Sequence, residues 1–280
     1  MAESHAKALT LGLSPCPNDT CIFHALLHGL VEFPFKIKPH MADVEELNSL
    51  ARKASIDVTK ISLGVVPYIM NDYALLDSGA ALGWGVGPLL VARESLPPAV
   101  WREARIAVPG VMTTANLLLD LHGGFQGARR QMLFNEVMPS VLRGEADMGL
   151  IIHEGRFTYQ QQGLVKILDM GEWWEGVFHM PLPLGAIVAR RSLPRQTALA
   201  AQDAIARSLT YARAHPGASQ EFIRAHAQEM DEHVRQDHIR TFVTDFSLRL
   251  GLAGRSAIEE IVTRASRLRG LNMPEQGLFL

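Results

Sequence analysis

Short apolar runs alternate with amphipathic stretches through the first half of the chain. Leu9–Leu13, Phe35–Pro39 and Asp57–Ile61 have the length and composition of strands, and Asp19–His28, Val44–Lys53 and Leu63–Met70 have helical spacing. This order predicts an α/β fold with a mainly parallel sheet. The same order returns further on. Arg105–Val108 reads as a strand, Pro109–Asn116 as an elbow and Leu117–Leu121 as a helix. Arg130–Phe134 follows as a strand, Glu136–Arg143 as a helix and Asp147–Ile152 as a strand. The third strands of the two halves look alike, since each starts on an aspartate (Asp57, Asp147) and stops at a polar residue (Ser62, His153).

Two copies of one plan predict two lobes. Ala80–Arg93 and Leu184–Arg190 are the expected crossings between them. The helices Ala198–His215 and Ser256–Leu268 are expected to return to the first lobe. The expected partition is residues 1–92 with 188–280 as lobe one and 93–187 as lobe two, with a central cleft between. A length of 280 residues suits this, being near the size at which one core divides.

Composition narrows the partners. Hydrophobic residues make up 48% of the chain and charged residues 20%, with a net charge of −2 and the two signs interspersed. No basic patch points to nucleic acid. No apolar run approaches the ~20 residues of a membrane span. Met1–Lys7 lacks the pattern of an export signal, so a cytoplasmic protein with a small-molecule substrate is expected. The two cysteines, Cys16 and Cys21, form neither a CxxC pair nor a zinc set, and are expected to be buried thiols.

In open parallel sheets, ligands sit beyond the carboxyl ends of the strands. Four segments meet that condition: Ser14–Thr20, Lys60–Ser62, Pro109–Asn116 and His153–Gly155. In the first, two prolines stiffen a turn and Asn18, Asp19 and Thr20 stand at a helix start, which suits either a capped loop or the wall of a ligand site. His153 emerges where a buried strand ends. It fits a proton acceptor, or a histidine capping a loop carbonyl. The run His153-Glu154-Gly155-Arg156-Phe157 is not a zinc-protease motif. Thr113, Thr114 and Ala115 follow a Pro-Gly turn at a helix start. They suit a carboxylate or phosphate, or serve as an ordinary cap. Gly83–Pro88 lacks dinucleotide-binding spacing and reads as a flexible crossing near the cleft. Trp173-Trp174 reads as a loop, either covering an aromatic ligand or packing on the surface. With no Ser/His/Asp order, phosphate loop or metal cluster visible, cofactor-free chemistry or simple binding remains.

Several words of the chain resemble the 1,4-dihydroxy-6-naphthoate synthase family, lyases of the futalosine route to menaquinone. They are Ser14-Pro15-Cys16-Pro17-Asn18-Asp19-Thr20, Asp57–Ser62, Leu76–Gly83, Gly85–Val91 and Ile152–Tyr159. Cys21 departs from that family, where a bulkier residue is common. The related chorismate dehydratases lack the first word. The resemblance implies a periplasmic-binding-protein-like type II fold and a cyclic dehypoxanthine futalosine substrate, cleaved without a cofactor. It implies His153 as general base. Lys60, Ile61, Ser62, Thr113, Thr114 and Ala115 would bind substrate, and Asn18 and Asp19 would orient its polar groups. A solute-binding protein of the same fold, or a dehydratase acting on another cyclic acid, are the other readings.

Overall fold

A computed structural model describes residues 8–228 and 231–280. The N-terminal tail Met1–Lys7 lies outside the described residues. The first unit begins with β1 (Leu9–Leu13), α1 (Pro17–Leu27), β2 (Ile37–Met41), α2 (Val44–Arg52) and β3 (Val58–Ser62). A 3-10 turn at Leu63–Val65 leads into α3 (Val66–Ile69), β4 (Tyr73–Leu75) and β5 (Ala81–Gly83). The second unit holds β6 (Leu89–Ala92), α4 (Pro98–Trp101), β7 (Ile106–Val108), α5 (Thr114–His122) and β8 (Arg129–Gln131). It continues with α6 (Phe134–Leu142), β9 (Met148–Ile151), α7 (Gly155–Thr158), β10 (Val165–Asp169) and α8 (Met170–Phe178). The chain then returns through β11 (Leu182–Arg190), α9 (Arg195–Ala214), α10 (Gln220–His226), α11 (Glu232–Phe242), α12 (Asp245–Leu248) and α13 (Gly251–Leu268).

The two sheets repeat one arrangement. In the first, β1 lies parallel between β2 and β3; in the second, β7 lies parallel between β8 and β9. In each, the aspartate ahead of the third strand braces the first. Asp57 accepts hydrogen bonds from the Thr10 backbone and hydroxyl at 2.9 and 2.7 Å. Asp147 accepts from the Arg105 backbone at 2.8 Å and from its guanidinium at 2.7 Å. The shared aspartates of the sequence are thus strand clamps, distant from the strand ends that carry the chemistry.

The sheets are mixed rather than mainly parallel. β11 runs antiparallel to β3, β4 and β5, and β6 runs antiparallel to β9 and β10. This corrects the second crossing. Leu184–Arg190 is part of β11, held in the first sheet by its pairing with β3. The chain crosses before it, between α8 and β11. The first crossing narrows to the segment between β5 and β6. Residues 89–92, placed with lobe one on sequence grounds, pair within the second sheet, and all of β11 pairs within the first. Two local readings also change. Phe134 opens α6 rather than closing a strand, and Trp173-Trp174 lies in α8, where Trp174 is fully buried against Phe178.

α9, which corresponds to the expected helix Ala198–His215, packs on α1 of the first unit, and α10 and α11 pack there too. α13 does more, covering β11 and α3 and also touching α5 of the second unit. One apolar core therefore runs behind both sheets, joining Ile61, Leu63 and Val65 to Leu117, Leu118 and Ile258. The backbones meet closely there. A Cβ on Gly64 would lie 2.6 Å from the carbonyl oxygens of Met112 and Thr113, so only glycine fits that position. Among the described residues no helix is long and apolar enough to cross a membrane.

Candidate functional site

A pocket opens between the carboxyl ends of the two sheets. Ser14, Asn18, Lys60, Ile61 and Ser62 line it from the first unit, and Thr113, Thr114, Ala115 and His153 from the second. The four segments picked from the sequence therefore share one cleft. Further walls come from Val86, Gly87 and Pro88 of the first crossing, Leu184 and Gly185 of β11, Arg156 of α7, and His238 and Phe242 of α11.

Asp19 sits elsewhere. Its side chain is fully enclosed behind the wall and receives four hydrogen bonds. One oxygen accepts from the Ser14 N–H at 3.0 Å and its hydroxyl at 2.8 Å. The other accepts from Lys60 Nζ at 3.0 Å and Asn18 Nδ2 at 2.8 Å. The backbone explains this. Cys16 is the extended N-cap of α1, Pro17 occupies the first helical position, and Asp19 stands in the first turn, where a carboxylate is favoured. Asp19 acts on the pocket through Lys60, Asn18 and Ser14 rather than by touching it.

The second elbow differs in what it leaves open. Thr113 caps α5, accepting from Asn116 N–H at 3.2 Å and donating to Gly110 O at 2.8 Å. The Thr114 hydroxyl accepts from Leu63 N–H at 2.8 Å and donates to the carbonyl of Leu184. Both hydroxyls are therefore engaged in holding the two units together or capping the helix. Thr114 and Ala115 line the pocket, and as first-turn residues of α5 their N–H groups are ones a helix cannot pair internally. A further tie joins the units where Met112 N–H donates to Glu45 at 2.9 Å.

His153 follows β9 with φ of +54°, in the left-handed region that costs a non-glycine residue strain and is concentrated at functional sites. Packing holds it there. Phe134 meets the ring edge-on at a centroid distance of 5.0 Å, and His238 stacks on it at 5.9 Å with planes 13° apart. Nε2 of His153 lies 3.8 Å from Cys16 Sγ. Burial, with the Glu154 charge adding to it, pushes the Cys16 thiol well above its usual range, so it stays a neutral thiol. Cys21 is likewise buried, against Ala212 and Ile223.

His238 escaped the sequence reading, as did its whole helix. Asp231 caps that helix, and Val234, His238 and Phe242 follow at intervals of four, a face legible in principle. Its Nε2 meets Asn18 Oδ1 at 3.0 Å, and burial first, then the charges of His153 and Lys60, hold the ring well below the usual imidazole value of 6.5. Arg156 is committed, donating to Gly87 O and to Asp169 at 2.9 Å, and so ties the first crossing to the second unit. Trp173-Trp174 takes no part in the pocket. Among the described residues no group of three or more His, Cys, Asp or Glu is placed to hold a metal ion.

Known proteins share this architecture. Two curated proteins named 1,4-dihydroxy-6-naphtoate synthase are each 45% identical to the chain. That of Thermus thermophilus aligns over 96% of this chain and 97% of its own length, and that of Streptomyces coelicolor over 93% and 94%. A crystal structure of an Archaeoglobus fulgidus protein superposes with a TM-score of 0.88 at 30% identity, covering 95% of this chain and 99% of that one. An alkanesulfonate-binding protein from Xanthomonas axonopodis superposes at 0.68 with 17% identity, covering 99% and 97%, a likeness of fold alone. The fold is thus the two-lobed periplasmic-binding-protein-like type II architecture. The family model described as menaquinone biosynthesis matches residues 9–267, and the chain belongs to that family.

Proposed function

We propose that the chain is a carbon–carbon lyase that converts cyclic dehypoxanthine futalosine to 1,4-dihydroxy-6-naphthoate, releasing the sugar-derived fragment without a cofactor. The observation that carries this reading is His153. It is a strained, tightly packed imidazole at a strand end, lining a cleft with Thr114 and Ala115 of its own unit and with Ser62 and Lys60 opposite. Neutral imidazole accepts a proton near neutral pH. His153 takes the proton of a substrate hydroxyl, the oxygen's electrons form a carbonyl, and the neighbouring C–C bond breaks. Its electron pair passes into the ring system, and gain of aromaticity supplies much of the driving force.

The N–H groups of Thr114 and Ala115, with Ser62 and Lys60 opposite, bind the polar groups of the substrate, and Thr113 caps the helix that presents them. Ile61 supplies apolar wall. Asn18 orients substrate, while Asp19 does so indirectly by fixing Lys60. A narrow cleft excludes water and strengthens these contacts. Incubation of the purified protein with the cyclic substrate tests the reading. Naphthoate formation that disappears in His153→Ala with binding retained supports it. Tight binding with no product from the wild type would instead favour a binding protein of the same fold, and loss of water from the substrate a dehydratase.

A further inference from the structure

Two buried polar atoms beside the cleft, one of them on the lining residue His238, have no hydrogen-bond partner and face one another. Glu154 Oε2, from the loop after β9, lies 3.9 Å from Nδ1 of His238 on α11. The side chains are 8% and 1% exposed. The hydrogen bonds around Asn18 settle the other ring nitrogen. Asn18 gives its Nδ2 hydrogen to Asp19, so its Oδ1 is an acceptor, and His238 Nε2 must donate to it. A neutral His238 then points the Nδ1 lone pair at a carboxylate, and two acceptors face each other in a buried place, which is costly. One proton on that edge removes the conflict. A movement of about 1 Å by the Glu154 carboxylate brings the two atoms within hydrogen-bond reach.

We propose that Glu154 and His238 share a single proton across the cleft, and that His238, anchored at both ring nitrogens, is the positioning residue on which the His153 ring is stacked. The pair spans the two units, since α11 packs on α1 and Glu154 follows β9. The charged and titratable groups that bear on His238 are Lys60 on β3 and His153 beside Glu154, with Asp19 at the start of α1 linked to it through Asn18. Lys60 is already matched by Asp19. Burial of His238 agrees with a ring that does not carry a second full charge beside His153. A His238 cation would oppose the imidazolium that His153 becomes on taking a proton, and a ring free to turn would loosen its stacking partner. The catalytic half of this inference rests on His153 being the base.

The test uses the full-length protein labelled with nitrogen-15, and follows the His238 ring nitrogens by proton–nitrogen correlation between about pH 5.5 and 8. Nε2 is expected to carry a proton throughout, with Nδ1 shifted as a hydrogen-bonded nitrogen. Glu154→Ala should move Nδ1 to the position of a bare acceptor. A wild-type Nδ1 indistinguishable from that of Glu154→Ala overturns the pairing. Turnover of the cyclic substrate tests the positioning role. Glu154→Gln and His238→Gln should keep KM within about twofold, lower kcat roughly 10- to 100-fold, and alter the shape of the kcat–pH profile. An unchanged kcat, or a loss with an unchanged profile, overturns that role. The nitrogen shifts are read without substrate, so they decide the pairing even if the wild type forms no naphthoate, a result that would refute the lyase reading alone.

Discussion

The helices α1 and α5 occupy the same place in two copies of one plan, yet their first turns do opposite things. In α1 the third helical residue is Asp19, and its carboxylate fills the electropositive helix start, holding Lys60, Asn18 and Ser14. In α5 the third helical residue is Asn116, an uncharged side chain turned to Val111 O and to Arg129. That helix start keeps its first-turn N–H groups for the pocket. A repeated scaffold thus holds an internal anion at one helix start and at the other an uncharged side chain beside the pocket. The strand ends diverge in the same sense, Ser62 running on into a helical turn in ordinary conformation and His153 held in a left-handed one.

The most severe way to break this comparison is to remove the side chain that only one copy has. His153→Ala is expected to lower turnover by about 10²–10⁴-fold with the fold retained, measured as naphthoate formation beside a thermal melt. Next comes the internal anion. Asp19→Ala leaves the Lys60 ammonium buried without its partner and should destabilise the protein by about 3–5 kcal/mol in chemical denaturation. Asp19→Ala combined with Lys60→Met should recover part of that loss, because no uncompensated charge remains. If the double variant is no more stable than the single, the ion pair is not what Asp19 is for.

A milder change makes the copies alike. Asn116→Asp puts a carboxylate at the start of α5, beside Arg129, where the helix itself should tolerate or welcome it. An anionic ligand group in the pocket would then be repelled, and KM should rise by up to roughly tenfold, while the loss of the bond to Val111 O offsets the gain against Arg129 and leaves the melting temperature little changed or lower. A KM that does not move would show that no anionic group binds there. The smallest effect expected is on pH. Burial holds His24 and His122 below the usual imidazole value of 6.5. Below 6.5 the unfolded chain gains protons that the folded protein resists, so stability should fall as pH drops from about 7.5 towards 5.5. Thermal melts across that range check the sign, and His24→Gln should flatten part of the slope.

Much of the frame was legible from residues near one another in sequence. The strand Leu9–Leu13 matches β1 to the residue, the repeated plan appears as two sheets of the same strand order, and all four elbow segments meet at one pocket. What failed depends on partners far away. Leu184–Arg190 looks like any apolar run, and only its antiparallel pairing with β3 makes it a strand of the first sheet. Asp19 looked like a ligand contact because Lys60, which consumes one of its oxygens, lies 41 positions later. The threonine hydroxyls looked free because Leu63 and Leu184, which engage Thr114, belong to the other unit. His238 reaches the cleft only because α11 folds back on α1. Trp173-Trp174 misled for the simplest reason: two bulky aromatics suggest a lid, whereas α8 turns one of them into the core.

The hydroxyl of Thr114 has a kinetic consequence. It joins the turn after β3 to β11 from a helix of the opposite unit, and the common core behind the sheets reinforces that joint. Approach of the two units at that joint is then made during folding, and holding them together there draws nothing from ligand affinity. The cost falls on traffic instead. Thr114→Val, which removes that joint, would be expected to quicken ligand entry and product release, measured as association and dissociation rates.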